Sequence, residues 1–340
     1  MSASAAPSSQ NRQSVYRCGP VRLVIDFDES EFADCLNPLL SQYDAPWDTA
    51  ANTIHVLVQH SDCPADFSEV SGSYLTLQRL RVDLIDQRLV AIGPLGSRMD
   101  FDLNLGRARI LVPTCSDRAG QIEEVEQQFV LLLARAWAQS GWTPLHAGSL
   151  VPPGQHRCIL LCAPSGSGKT TLTSALLRRG WKTLGDDKTL LRMQNGTTCA
   201  RALAHRFHLH PEAARWFPEA RNLSDWPRYS RWTDKRVVQI EAIWPGRLLV
   251  ESIPGGLVQV ERSSEEFPLT VVPLNTTETF NVLLRQIVVP GEASHARPLV
   301  NCAAQTASRL RGARVRVGHN AFLRPQFAEE LEKALLSLLA

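Results

Sequence analysis

Residues 157–180 read "RCILLCAPSGSGKTTLTSALLRRG", and this stretch constrains the fold more than any other part of the chain. Residues 157–162 form a short apolar run that predicts a buried strand. A glycine-rich loop follows, and "KTTLTSALLRRG" then predicts a helix that ends at Gly180. A strand that turns tightly into a helix belongs to an α/β layer, so the half of the chain around it is expected to be α/β.

The loop fits G-x-x-x-x-G-K-[ST], the P-loop pattern, with Ala163 standing where the first glycine would be. Glycines let the backbone curl until successive N–H groups converge on phosphate oxygens. The start of the following helix adds partial positive charge. The pattern assigns Ser165, Gly166, Ser167, Gly168, Lys169, Thr170 and Thr171 to nucleotide binding. Lys169 is expected to reach the β- and γ-phosphates of ATP, and the Thr170 hydroxyl to sit on Mg²⁺. The motif does not choose the reaction.

"LGDD" at 184–187 bears on that choice. Asp186 and Asp187 follow Lys169 by 17 and 18 residues, which is one helix and a short return to the sheet. The acids should emerge at the carboxyl end of a strand beside the loop, where open α/β sheets place their chemistry. Neighbouring residues on a strand face opposite ways, so both acids can serve one site only if the backbone turns, which Gly185 permits. In phosphoryl transfer one carboxylate can take the acceptor's hydroxyl proton while the other supports the metal. Asp186 and Lys169 are taken as catalytic, and Asp187 with Thr170 as metal-binding, although the residues alone leave the order within the pair open.

Elsewhere the chain punctuates itself clearly. Residues 1–14 are polar and predict a disordered tail. Residues 15–118 predict a smaller α+β or mostly β domain, from "VRLVIDFD" (21–28), a short helix capped by Ser30, "TIHVLVQ" (53–59) and paired strands within 74–93 and 98–113. Residues 119–340 predict the P-loop domain, opened by an amphipathic helix over 121–142. Within it, "TLLRM", Asn195-Gly196 and "TTCARAL" predict a type I′ hairpin. Three strands are expected at 236–244, 247–253 and 257–262, with turns at Pro245-Gly246 and Pro254-Gly255-Gly256. Helices are expected at 276–287 and 326–340, and a strand at 313–318. The sheet is expected to be mixed.

Composition narrows the partners. Formal net charge is +2, which gives no ground for a nucleic-acid partner. No apolar run reaches the roughly 20 residues a membrane span needs. The nearest, "FVLLLARAWA", is broken by Arg135. The start lacks the apolar core of a signal peptide. None of the eight cysteines forms a C-x-x-C pair, so all are expected to be reduced in a cytoplasmic protein. A homo-oligomer is allowed but not indicated.

"PLHAGSLV" (144–151) precedes the loop strand. Taken with it, "HAGSLV … APSGSGKTTLTSALLRRGWKTLGDD" resembles the C-terminal catalytic domain of the HPr kinase family. Arg179-Gly180 and Asp186-Asp187 stand where that pattern puts them, counted from Lys169. The family's E-[IV]-R-G-x-G segment is not recognisable, so the resemblance is to HPr-kinase-related proteins. It implies a fold akin to phosphoenolpyruvate carboxykinase and transfer of the γ-phosphate of ATP, with Mg²⁺, to a serine-type hydroxyl. It also implies that His146 lies near the acid pair and assists it. The acceptor is left open among a protein, a peptide and a small molecule.

Residues 205–236 carry His205, His208 and His210, several arginines and three tryptophans. They read as an acceptor-facing loop, with Lys235 or Arg236 lending charge to the transferring phosphoryl. The H-x-H spacing lacks the acids or cysteines that would complete a metal site. Two other readings stand beside the kinase: a nucleotide-binding regulatory or assembly module without transfer, and a P-loop metabolite kinase with a purely parallel sheet.

Overall fold

The structure, a computed structural model, describes residues 12–28, 30–43, 45–47, 52–77, 79–164, 166–230, 233–266 and 269–339. Ser165 and residues 1–11 of the expected tail lie outside these. The expected tail ended at 14, but the strand Arg12–Cys18 begins at 12 and pairs antiparallel with Val21–Phe27. Among the described residues no helix is long and apolar enough to cross a membrane.

The chain is mixed α/β and divides into two compact units. The first is Met1–Ser41, Trp47–Ser140 and Pro290–Glu292; the second is Gln42–Pro46, Gly141–Val289 and Ala293–Ala340. The first unit is built on an eight-stranded sheet. Val21–Phe27, Asn52–Ser61 and Arg107–Pro113 are parallel neighbours, and the remaining pairs are antiparallel. A parallel pair needs a crossover, which the helix Ser30–Leu40 supplies.

The long helix runs Arg118–Gln139, capped by Asp117, and Gly141 follows it with φ +77°. The sequence put the domain boundary near 118, ahead of this helix, whereas the compact units part at 140/141. The helix is anchored in the first unit by its own polar contacts. Trp137 Nε1 donates to Cys18 O at 2.9 Å, and Glu124 accepts from Leu95 N at 2.7 Å and Ser97 Oγ at 2.6 Å.

The second unit holds a nine-stranded mixed sheet. Its path runs Lys182–Gly185, Ala147–Val151, Arg157–Cys162, Glu251–Ser263, Thr197–Ala202, Thr189–Gln194 and Thr143–Leu145. Glu251–Ser263 also pairs with Arg311–Gly318, and that strand with Leu269–Leu274. Leu161, Leu172, Leu176, Trp181, Val258, Val315 and Phe327 fill one core against this sheet. Cys158 and Cys162 are buried in the loop strand, and burial pushes both thiols up to about 12, so they act as apolar filling. Cys63, Cys115, Cys158, Cys162, Cys199 and Cys302 are free thiols.

Several expectations need correction. Pro254-Gly255-Gly256 is not a turn: Glu251–Ser263 is one continuous strand, and Gly255 is an extra residue between Pro254, opposite Cys158, and Gly256, opposite Ile159. Pairing on both sides holds the strand through this bulge. The strand expected at 236–244 is Thr233–Gln239, followed by a helical turn, Ile240–Ile243. The helix Ala293–Ala307, with Pro298 inside it, had no sequence counterpart. Residues 205–236 are not a loop. Arg206–Leu209, Arg228–Ser230 and Thr233–Gln239 form a separate three-stranded sheet, packed around Phe207, Phe217, Leu223, Val238 and Trp244.

The helix Thr276–Leu284 is closed by a capping box in which the Asn275 side chain accepts from Glu278 N at 2.9 Å and Glu278 accepts from Asn275 N at 2.8 Å. Asn275→Ala is expected to cost about 1 kcal/mol, read from the urea midpoint.

Candidate active site

The sheet register explains how distant residues reach one edge. Ala147–Val151 runs antiparallel to the loop strand, with Ala147 opposite Cys162. His146 therefore lies level with Ala163, where the loop begins. Lys182–Gly185 is antiparallel to Ala147–Val151 in turn, with Gly185 opposite Ser149. It runs the same way as the loop strand and releases Asp186 and Asp187 at the same edge. The acid strand is thus one strand removed from the loop strand, with "HAGSLV" between them.

That intervening strand must be thin at one point. A Cβ on Gly148 would stand 2.7 Å from Asp186 O and 3.1 Å from Asp186 C. Gly185 turns the chain at φ +151°, and a Cβ there would meet Ala204 O at 3.0 Å.

In the loop, Gly166 and Gly168 have φ of +78° and +97°, conformations that favour glycine. Ala163 does not share that need. It is 1% exposed and packs into the core below the loop. Its carbonyl accepts from Lys169 Nζ at 2.7 Å. Lys169 itself is only 6% exposed and opens the helix Lys169–Arg178.

The two acids have different partners. Asp186 is 3% exposed, and its Oδ2 accepts from Thr170 Oγ1 at 2.7 Å. Asp187 Oδ1 lies 2.6 Å from His146 Nε2 and 3.6 Å from Lys169 Nζ. Burial, then the neighbouring Asp187 charge, push the Asp186 carboxyl well above the usual carboxylate range. Burial also works against the Asp187 charge, but the His146 hydrogen bond and the charges around it outweigh that and hold the carboxyl below its usual range. The pair thus carries its charge unevenly, with Asp187 the more readily ionised of the two.

These groups line a cleft of about 380 Å³, with Gly166, Ser167, Gly168 and Thr171 on the loop side. Further lining comes from the three-stranded sheet and from the turn that follows its first strand, with His208, His210, Trp216 and Lys235. Lys235 and Arg236 separate, as neighbours on a strand do. Lys235 faces the cleft, whereas Arg236 donates to Trp226 O at 3.1 Å and is not among the cleft residues. The His208 ring lies 3.9 Å from that of Tyr229. Burial and the Lys188 charge take it down to about 3, which leaves it neutral.

Arg262 lines the cleft and was missed in the sequence. Its neighbour Glu261 pairs with Arg314 at 3.0 Å, and strand alternation sends Arg262 the other way. Reading 251–263 as one strand would have exposed that pattern. Among the described residues no three His, Cys, Asp or Glu are grouped to hold a metal. A hard oxygen pair does exist in Thr170 Oγ1 and Asp186. A buried acid that disfavours its own charge is suited to a divalent cation, and Mg²⁺ takes few protein ligands.

No family model matches the chain. No curated protein matches it either. Among solved structures, the chain is similar to the HPr(Ser) kinase/phosphatase of Coxiella burnetii, with 11% identity over 58% of this chain and 99% of that one and a TM-score of 0.32.

Proposed function

We propose that the second unit is an ATP- and Mg²⁺-dependent phosphotransferase that passes the γ-phosphoryl group to an alcohol hydroxyl. The observation that carries this reading is the division of the acid pair at the mouth of one glycine loop. Asp186 sits against Thr170, and Asp187 against His146 and Lys169. A pair so divided has one member for a metal and one for a proton.

The geometry favours the reverse of the order first taken from the sequence. Thr170 and Asp186 would hold the metal. Mg²⁺ bound there would offset the negative charge of the β- and γ-phosphate oxygens. Asp187 would accept the acceptor's hydroxyl proton, and His146 orients its carboxylate. The loop N–H groups and Lys169 would bind the phosphates. Lys235, which lines the cleft from the three-stranded sheet, would lend charge to the transferring group. The antiparallel strand Ala147–Val151 beside the loop strand speaks against a metabolite kinase with a purely parallel sheet.

The test uses ATP labelled in its γ-phosphate, with purified protein and a cell extract as the source of acceptor. Label is expected to move from ATP to an acid-stable ester. Lys169→Ala is expected to lower that transfer by about 10²–10³-fold. Label recovered only as inorganic phosphate would favour the regulatory module instead.

A further inference from the structure

Lys188 follows the acid pair directly, and the proposed reaction gives it no task. Its Nζ donates to Gln42 Oε1 at 3.2 Å and to the Tyr43 hydroxyl at 3.0 Å. It also lies 4.7 Å from the centre of the Tyr43 ring. Gln42 and Tyr43 are 1% and 2% exposed, so they are fixed parts of a packed interior. They come from residues 42–46, which belong to the body of the second unit although the chain on either side belongs to the first.

A lysine ammonium is a mobile point charge on a four-carbon stem. One residue beyond Asp187, and left to itself, it would close on that carboxylate as an ion pair. Asp187 instead pairs with His146 and Lys169, while Lys188 turns to two neutral acceptors. The turn from Gly185 to Thr189 is thus held at both ends by the sheet and along its side by this lysine.

We propose that Gln42 and Tyr43 are positioning residues of the cleft, which clamp Lys188 away from Asp187 and fix the turn that carries both acids. The kinetic consequence rests on the phosphotransfer reading; the clamp itself does not.

The test compares the full chain with its Gln42→Leu/Tyr43→Phe double variant. Amide hydrogen exchange without nucleotide reports the clamp directly. Exchange over 185–189 is expected to rise about tenfold in the variant, with 172–177 unchanged, because hydrogen bonds to a charged group are lost. In magnesium-dependent transfer of γ-phosphoryl label to the acceptor in the extract, kcat is expected to fall about tenfold with KM for ATP within about twofold. Gln42→Glu/Tyr43→Phe keeps one acceptor on Lys188 and is expected to return both readouts to within about twofold of the parent. If the leucine-containing variant does not fold, Tyr43→Phe alone keeps the ring and is expected to give about a threefold change in each. Parental exchange over 185–189, or a change in KM alone, would overturn the clamp. A parent chain that moves no γ-phosphoryl label to an acceptor would overturn the phosphotransfer reading, and the exchange measurement would still decide the clamp.

Discussion

Asp187→Asn is expected to lower phosphoryl transfer by about 10²–10⁴-fold, the range for removing a general base, with ATP still bound. The Asp187 carboxylate lies within 2.6 Å of His146 Nε2 and 3.6 Å of Lys169 Nζ. An amide there is too weak a base to take a hydroxyl proton, and its NH₂ group would face Lys169 or His146 in one of its two orientations. Asp186→Asn is expected to fail differently. It leaves Thr170 its partner oxygen but removes the charge that would hold the cation. Its rate should therefore recover in part as the magnesium concentration is raised. Steady-state rates across a magnesium titration distinguish the two. A magnesium-rescuable Asp187→Asn beside an unrescuable Asp186→Asn would restore the opposite order of roles.

Gly148→Ala should be nearly as damaging, although residue 148 bears no functional group. The added Cβ would fall 2.7 Å from a backbone oxygen and 3.1 Å from a backbone carbon of Asp186. No flexible side chain can swing aside there, so the strand or the acid turn must shift. Overpacking of this kind costs about 1–3 kcal/mol, read as a lowered urea midpoint. A displacement near 1 Å at the acid pair is expected to lower kcat about 10²-fold. A folded Gly148→Ala protein with parental turnover would show that this contact does not set the acid turn.

The strand at 157–162 and the helix after it were legible because their signals are local: an apolar run, glycines needing positive φ, and a lysine opening the helix. The acid pair was legible as a pair. Which acid lies against Thr170 and which against His146 was not, because that depends on the strand Ala147–Val151 slipping between the acid strand and the loop strand. Lys235 and Arg236 could not be separated without the start of their strand, which lies at Thr233. The Pro254-Gly255-Gly256 run carries a strong local turn signal, and pairing on both flanks overrides it. The segment 205–236 was read by its polar residues, yet Phe207, Phe217 and Val238 are buried and make it a packed wall of the cleft. Gln42 and Tyr43 gave no signal at all, since a clamp made across 145 residues leaves no spacing to read.

Residues 42–46 also bear on where this protein can be cut. The second unit is not one stretch of chain, and neither is the first, which includes Pro290–Glu292. A fragment begun at Gly141 would keep the glycine loop, both acids and His146, and would satisfy any motif-based definition of the site. It would nonetheless lack two side chains of its own interior and leave the Lys188 ammonium without its acceptors. Low activity in such a fragment would reflect an incomplete body. Supplying residues 42–46 on a short linker ahead of Gly141 is the natural repair.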